Sequence, residues 1–325
     1  MLWRTRKATA TARVYARAAL VGNPSDGYGG RTIAFTFREL FADVTVKPAP
    51  RLMIEAERGE GALLRSAYGR FAAHCIDVGA TPAPCALSVR STIPPAVGLA
   101  GSSAIVIGAL RALASFNDVE IAPVELPTVA LAAEEDLDIP AGLQDRVAQV
   151  WEGLVYMDFD PRLVAEDGHG SYVRLDPGLL EHAYVAWRGT TSVSSAHFHG
   201  HLRRRFRSGD AEVITALTEI GHLAQAARAR IEENDLDGLS RLVDANFDLR
   251  RRLGPLEPTH MAMVETARTA GASANYAGSG GAICGFVRGA RERARLTDAL
   301  SAIGCTVVQP TILGEPETAS SQTPA

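Results

Sequence analysis

Cysteine is scarce in this chain: Cys75, Cys85, Cys284 and Cys305 are the whole supply, and no two stand in a C-x-x-C or similar metal spacing. Spacing therefore argues against a cysteine metal site and for four reduced thiols that pack as small apolar residues. Surplus positive charge is missing too, and a formal net charge of −4 offers no general case for nucleic-acid binding. No run is long and apolar enough to make a convincing transmembrane helix. The start lacks the positive, apolar and cleavage-site order of a secretory signal. Cytoplasmic residence, with neither membrane nor nucleic acid as partner, is the expectation. No useful internal repeat is visible, and oligomeric state stays open, because amphipathic helices serve an internal core as readily as a partner surface.

What is present suits a metabolite-binding globular protein. With 325 residues the chain can bury a substantial core and commonly divides in two. Met1 to Ala10 is basic and weakly periodic, Pro316 to Ala325 is rich in Pro, Ser and Thr, and both ends are expected to fray. Between them, β-rich runs at Ala12–Val21, Thr32–Phe37 and Phe41–Lys47 flank a glycine-rich turn at Gly22–Gly30. A helix near Ala62–Val78, a strand at Cys85–Ser91, helices at Leu126–Leu137 and Leu143–Val150 and a strand at Gly153–Phe159 complete a first lobe. The remainder reads as a strand at Tyr184–Trp187, three helices within Gly209–Ile231, Asp235–Leu253 and Pro258–Ala270, and a strand–turn–strand around Gly278–Gly281. A helix over Arg291–Ile303 and a strand at Thr306–Gln309 close it. The pattern predicts an α+β fold of two lobes, 11–160 and 161–317, with the site between them.

The most informative segment is Pro94-Pro95-Ala96-Val97-Gly98-Leu99-Ala100-Gly101-Ser102-Ser103-Ala104, where small residues and paired hydroxyls lead into an apolar helix pattern. Glycines let a backbone approach a ligand closely, and free amides at a helix start favour an anion, so phosphate is the first ligand to test. Ser102 or Ser103 can place a hydroxyl beside Mg²⁺ and phosphate, or simply cap the helix. The run is not G-x-x-x-x-G-K-[ST], since the lysine is absent, nor the dinucleotide fingerprint.

Other polar positions read two ways. Glu134 can hold Mg²⁺ and Asp145 can accept a substrate proton, or Glu134-Glu135-Asp136 is a solvated helix end and Asp145 a first-turn residue. Pro140 and Gly142 break the pattern between them, which allows a folded-back cleft. Gly278-Ser279-Gly280-Gly281 is a second anion-binding surface, a hairpin turn, or both. The Gly22–Gly30 turn offers Asn23, Ser25, Asp26 and Tyr28, groups that match a polyol, while Arg17 and Arg31 attract a carboxylate or phosphate, or form structural ion pairs. His197, His199 and His201 alternate but are read as strand-edge or loop residues, and Arg203, Arg204, Arg205 and Arg207 as a basic surface or a recruiter of an anionic sugar.

The three glycine-bearing regions together resemble the GHMP small-molecule kinases, the superfamily of galactokinase, homoserine kinase, mevalonate kinase and phosphomevalonate kinase. The resemblance runs from Arg13 to about Gln309. A-R-A-A-L-V-G-N-P-S-D-G-Y-G-G at Ala16–Gly30 and A-G-L-Q-D-R-V-A-Q-V-W-E-G-L-V-Y-M-D-F at Ala141–Phe159 are most similar to the glucuronokinase-like sugar 1-kinases. This implies a GHMP kinase fold with an interlobe cleft and ATP-dependent phosphorylation of the anomeric hydroxyl of glucuronate. It also implies ATP contacts at Pro95, Gly98, Leu99, Ala100, Gly101, Ser102, Ser103, Ala104, Gly278, Ser279 and Gly280, and Mg²⁺ at Ser102 and Glu134, eleven residues before Asp145. Asp145 corresponds to the family's base or orienter, and Arg17 stands where mevalonate kinases carry a lysine near the reacting oxygen. Asn23, Ser25, Asp26, Tyr28, Gly29 and Arg31 are the expected sugar contacts, and the carboxylate has Arg17, Arg31, Arg188 and Arg203 as candidates. Three departures stand out: Asn23-Pro24 replaces a glutamate-histidine pair common among relatives, Asn275 and Tyr276 replace a basic residue, and 189–195 diverges. Galacturonate, a heptose or another sugar is the alternative acceptor, and an ATP-binding regulatory protein the non-enzyme alternative.

Overall fold

The structure, a computed structural model, describes residues 9–139, 142–189 and 194–312. Most of the divergent stretch 189–195, Pro140 of the expected helix break, and the end of the expected second lobe at 313–317 lie outside the described residues.

The first strand, β1 (Ala10–Val21), alternates between solvent and core at its start and is buried at every position from Ala16 on. A strand buried on both faces runs between two layers, and this one does. It pairs antiparallel with β2 (Arg31–Pro48), from Ala10 opposite Val46 to Val21 opposite Ile33. The two strands expected at Thr32–Phe37 and Phe41–Lys47 are thus one. The pairing jumps from Tyr15–Phe41 to Ala16–Phe37, so Arg38, Glu39 and Leu40 bulge out of register without ending the strand. The bulge grips the chain's far end: Arg38 N–H donates to Thr311 O (3.1 Å), and the Glu39 carboxylate accepts from Thr311 N–H (2.9 Å).

The first sheet is completed by β3 (Met53–Glu55), β4 (Cys85–Ser91), β5 (Leu154–Asp158) and β6 (Ser171–Leu175), in the order β3-β4-β2-β5-β6 with β1 also on β2. β3 is parallel to β4 and the other pairs are antiparallel. Helices α1 (Arg58–Asp77), α2 (Gly101–Asn117) and α3 (Leu126–Glu135) share this sheet's core, Leu64 and Phe71 of α1 and Leu110 and Leu113 of α2 joining Val44 and Leu87 of the strands. α2 is apolar nearly all round, as a helix enclosed on most sides must be. α4 (Gln144–Trp151) lays Val147 and Ala148 on Ala34 and Val155, and α5 (Pro161–Asp167) follows β5.

The second sheet has the order β10-β7-β9-β8, all antiparallel, from β7 (Ala183–Trp187), β8 (Asn275–Tyr276), β9 (Ala282–Phe286) and β10 (Thr306–Val308). Alternation along β9 joins two cores: Cys284 and Phe286 face the first with Leu20 and Ala224, and Ile283 faces a second with Phe247, Met263 and Leu296. The helices are α6 (Ser194–Arg207), α7 (Ala211–Glu232), α8 (Leu236–Arg250), α9 (Pro258–Thr269) and α10 (Ala290–Ala302). The histidine run, expected at a strand edge or in a loop, falls within α6. The side chains of His197 and His199 lie outside the described ones. Among the described residues no helix is long and apolar enough to cross a membrane.

Candidate active site

Three chain segments close on one point. The loop 94–100 brings Gly98, at φ 78°, against the turn 277–281, and the fit is backbone on backbone. A Cβ on Gly278 would lie 2.2 Å from Gly98 O, and one on Gly98 would lie 3.0 Å from Ser279 N and Gly280 O, so neither loop tolerates a side chain at the seam. The turn joins β8 and β9 as the hairpin reading requires, and it is also the wall of a cleft. From below, β1 contributes Arg17, whose N–H donates to Leu99 O (3.2 Å).

Arg17 is only 2% exposed, and its guanidinium ties all three segments together. It donates to Ala277 O and Gly98 O and pairs with the Asp145 carboxylate in the first turn of α4. The Asp145 side chain is 26% exposed, so this carboxylate meets the cleft while its cation lies behind it.

Glu134, in the last turn of α3, is fully buried, while Glu135 and Asp136 beside it are exposed. Its Oε1 accepts from Ser102 Oγ (2.7 Å), and its Oε2 pairs with Arg146, which also donates to Gly142 O (2.7 Å). Neither serine caps α2: Ala100 occupies that position in left-handed conformation with no side-chain cap. Ser103 is buried, donating to Gln149 Oε1 (2.7 Å), and the Gln149 amide donates to Tyr15 O and Ala100 O (2.9 and 3.0 Å). That lock splices the loop to β1 and α4.

The Gly22–Gly30 turn is held from α8. Asn246 accepts from Gly22 N–H (2.6 Å) and donates to Asn23 O (3.1 Å), and one turn along Arg250 donates to Asn23 Oδ1. Both are fully buried, and burial among Tyr276 and its neighbours pulls the Arg250 guanidinium down to about 10. Asp26 accepts from Gln144 N–H (3.3 Å). Burial, then the Asp145 charge, pushes the Asp26 carboxyl above its ordinary range. Burial also raises the Tyr28 hydroxyl, against the opposing charge of Arg203.

These segments enclose a cleft of roughly 1090 Å³. Of the anticipated residues, Pro95, Gly98, Leu99, Ala100, Gly101 and Ser102 line it on one side, with Gly278 and Ser279 facing them. Arg17, Glu134 and Asp145 form its floor, and Asn23, Asp26 and Tyr28 one end. Ser103, Ala104, Gly280, Ser25, Gly29 and Arg31 are not in its lining. Ser25 is buried, donating to Arg31 O (3.0 Å), and Arg31 pairs with Asp158 (2.7 Å). Sequence reasoning missed Arg146, Gln149, Asn246 and Arg250, and the cleft wall from the start of α1, Glu57, Gly59 and Leu63. For Arg146 a signal existed in the cleft reading of Glu134: a carboxylate taken out of solvent requires a cation, and the next helix supplies one. Asn246 and Arg250 sit four apart on a helix, a spacing too common to single out.

The GHMP kinases N terminal domain matches residues 62–153. Glucuronokinase 1 of Arabidopsis thaliana is 36% identical over 84% of this chain and 84% of its own. Probable glucuronokinase 2 of the same plant is 36% identical over 84% of this chain and 83% of its own. Among solved structures, Streptococcus pneumoniae phosphomevalonate kinase, in complex with phosphomevalonate and AMPPNP, superposes with a TM-score of 0.79 at 14% identity, covering 93% of this chain and 99% of that one. The chain belongs to the GHMP kinases, in the branch of the glucuronokinases, and is an ATP-dependent small-molecule kinase.

Proposed function

We propose that the protein transfers the γ-phosphoryl group of ATP to the anomeric hydroxyl of glucuronate, giving glucuronate 1-phosphate and ADP. The identity of 36% to two glucuronokinases over most of the chain supports the acceptor. The observation that carries the chemistry is the buried Arg17 paired with a cleft-facing Asp145, at the point where both glycine loops converge.

In this reading the triphosphate lies between the loop 94–101 and the turn at Gly278 and Ser279, on the first-turn amides of α2, which a helix leaves without internal partners. Asp145 aligns the sugar hydroxyl or accepts its proton, and Arg17 fixes that carboxylate and adds positive charge near the reacting atoms. Transfer is direct and in line, with no phosphoenzyme. Ser102 Oγ and the Glu134 carboxylate, 2.7 Å apart at the cleft floor, are hard oxygen donors of the kind Mg²⁺ takes. When bound, Mg²⁺ supplies neutralisation of phosphate charge. Asn23, Asp26 and Tyr28 form the sugar end. Four buried cysteine thiols support a reducing, cytoplasmic setting.

Asp145→Asn tests this. Nucleotide affinity is expected to stay near the parent's while turnover falls by roughly 10²–10⁴. Unchanged turnover rejects the role of Asp145. ADP release and sugar-phosphate mass, compared across uronic acids, neutral sugars and heptoses, test the acceptor.

A further inference from the structure

A uronate carries its own carboxylate into a cleft that already holds those of Asp26 and Asp145, so a cation must meet it. Of the four arginines the sequence offers, Arg31 is paired with Asp158 and lies outside the lining. Arg188 also lies outside it, near His260 and Cys305. Arg17 lines the cleft but is engaged by Asp145 and two carbonyls. Arg146, a further lining cation, is engaged by Glu134 and Gly142 O. Arg203 differs from all of these: it lines the cleft from α6, is exposed, and has no ion pair or hydrogen bond among the described residues.

Its position relative to the sugar end is fixed by packing. The Tyr28 ring lies on Phe206, three residues further along α6, with centroids 4.7 Å apart. The charge of Arg203 is the foremost one opposing the rise of the Tyr28 hydroxyl, so the two side chains are electrostatic neighbours. Within the same helix Arg205 is tied to Asp210 and Glu212, while Arg204 and Arg207 are exposed and do not line the cleft.

We infer that Arg203 is the specificity-determining residue of the acceptor site, its guanidinium taking the carboxylate of a uronic acid beside the Tyr28 hydroxyl; this rests on the uronate-kinase reading above. A planar guanidinium matches a carboxylate with two parallel hydrogen bonds, which a neutral hydroxymethyl group does not reproduce.

The test is steady-state turnover of glucuronate and of glucose by the full chain and its variants R203Q, R203K and R204Q, each first shown to melt like the parent and to respond to ATP. Loss of a charge-assisted pair predicts that R203Q loses roughly ten- to a hundredfold in kcat/KM for glucuronate. The loss is expected in KM, with the KM for ATP and any turnover of glucose held. R203K regains part of the loss, and R204Q behaves as the parent. An unchanged KM for glucuronate in folded R203Q overturns the role of Arg203 alone. A parent protein that phosphorylates neutral sugars and not glucuronate overturns the uronate reading, and the role of Arg203 falls with it.

Discussion

Arg146→Met removes the cation from beneath Glu134 and leaves a fully buried carboxylate held by the Ser102 hydroxyl. Breaking a buried pair from one side costs about 3–5 kcal/mol, since the remaining charge has lost its counter-ion at a position with no exposed surface. Unfolding entropy near 2.1 cal/mol/K per residue amounts to about 0.7 kcal/mol/K for this length, so the melting temperature should fall by about 4–7 °C. Removing both charges has a different outcome. Glu134→Leu with Arg146→Met should recover most of the loss, because a buried pair and an apolar replacement of similar volume differ little in stability. Scanning calorimetry at neutral pH without nucleotide reads both variants. A single variant melting within about one degree of the parent refutes the claim that Arg146 compensates Glu134, because it falls far short of the cost of an unpaired buried charge.

Two further perturbations reach the loops. Gly278→Ala puts a Cβ 2.2 Å from Gly98 O, so the two loops must part by about an ångström to restore ordinary contact. A stability loss of about 1–3 kcal/mol is expected from the overpacking, together with a roughly hundredfold fall in turnover from misplaced groups; parent-like turnover would show that the seam does not set the cleft's width. Asp26 gives a pH signature. A carboxyl raised on folding contributes stability fully present below its unfolded value and lost as the pH climbs through the folded one. Asp26→Asn should therefore melt above the parent at pH 7 and lose that advantage on acidification to about pH 4, where an ordinary aspartate takes its proton. Melts across pH 3–8 check the sign, and an advantage that grows towards acid contradicts it.

The burial of Asp26 and the pairing of Glu134 and Arg146 belong to one design. Carboxylates are held by partners reaching from other elements, Glu134 fully buried and Asp26 half-buried, and the stability this costs is concentrated where the chemistry is proposed. The enclosed helix α2 and the core around it supply the offsetting burial.

Local grammar carried much of the fold. β4 spans the expected Cys85–Ser91, and the helices within Gly209–Ala270 lie where periodicity of 3.6 put them, because each depends on neighbours a few positions away. The glycine and serine run was legible for the same reason: small residues ahead of an apolar helix can be recognised without knowing what faces them. Folding alone joined Thr32–Phe37 to Phe41–Lys47, since the bulge is stabilised by Thr311 from the opposite end of the chain. Folding also turned Arg31 onto Asp158, buried Ser103 against Gln149, and brought Arg250 to Asn23 across 227 residues. A side chain's type and helical phase are local properties, but its partner is chosen by how distant segments pack. The chemistry on offer and a shared cleft could therefore be read from the residues, and which side chains face that cleft and which turn away onto distant partners could not.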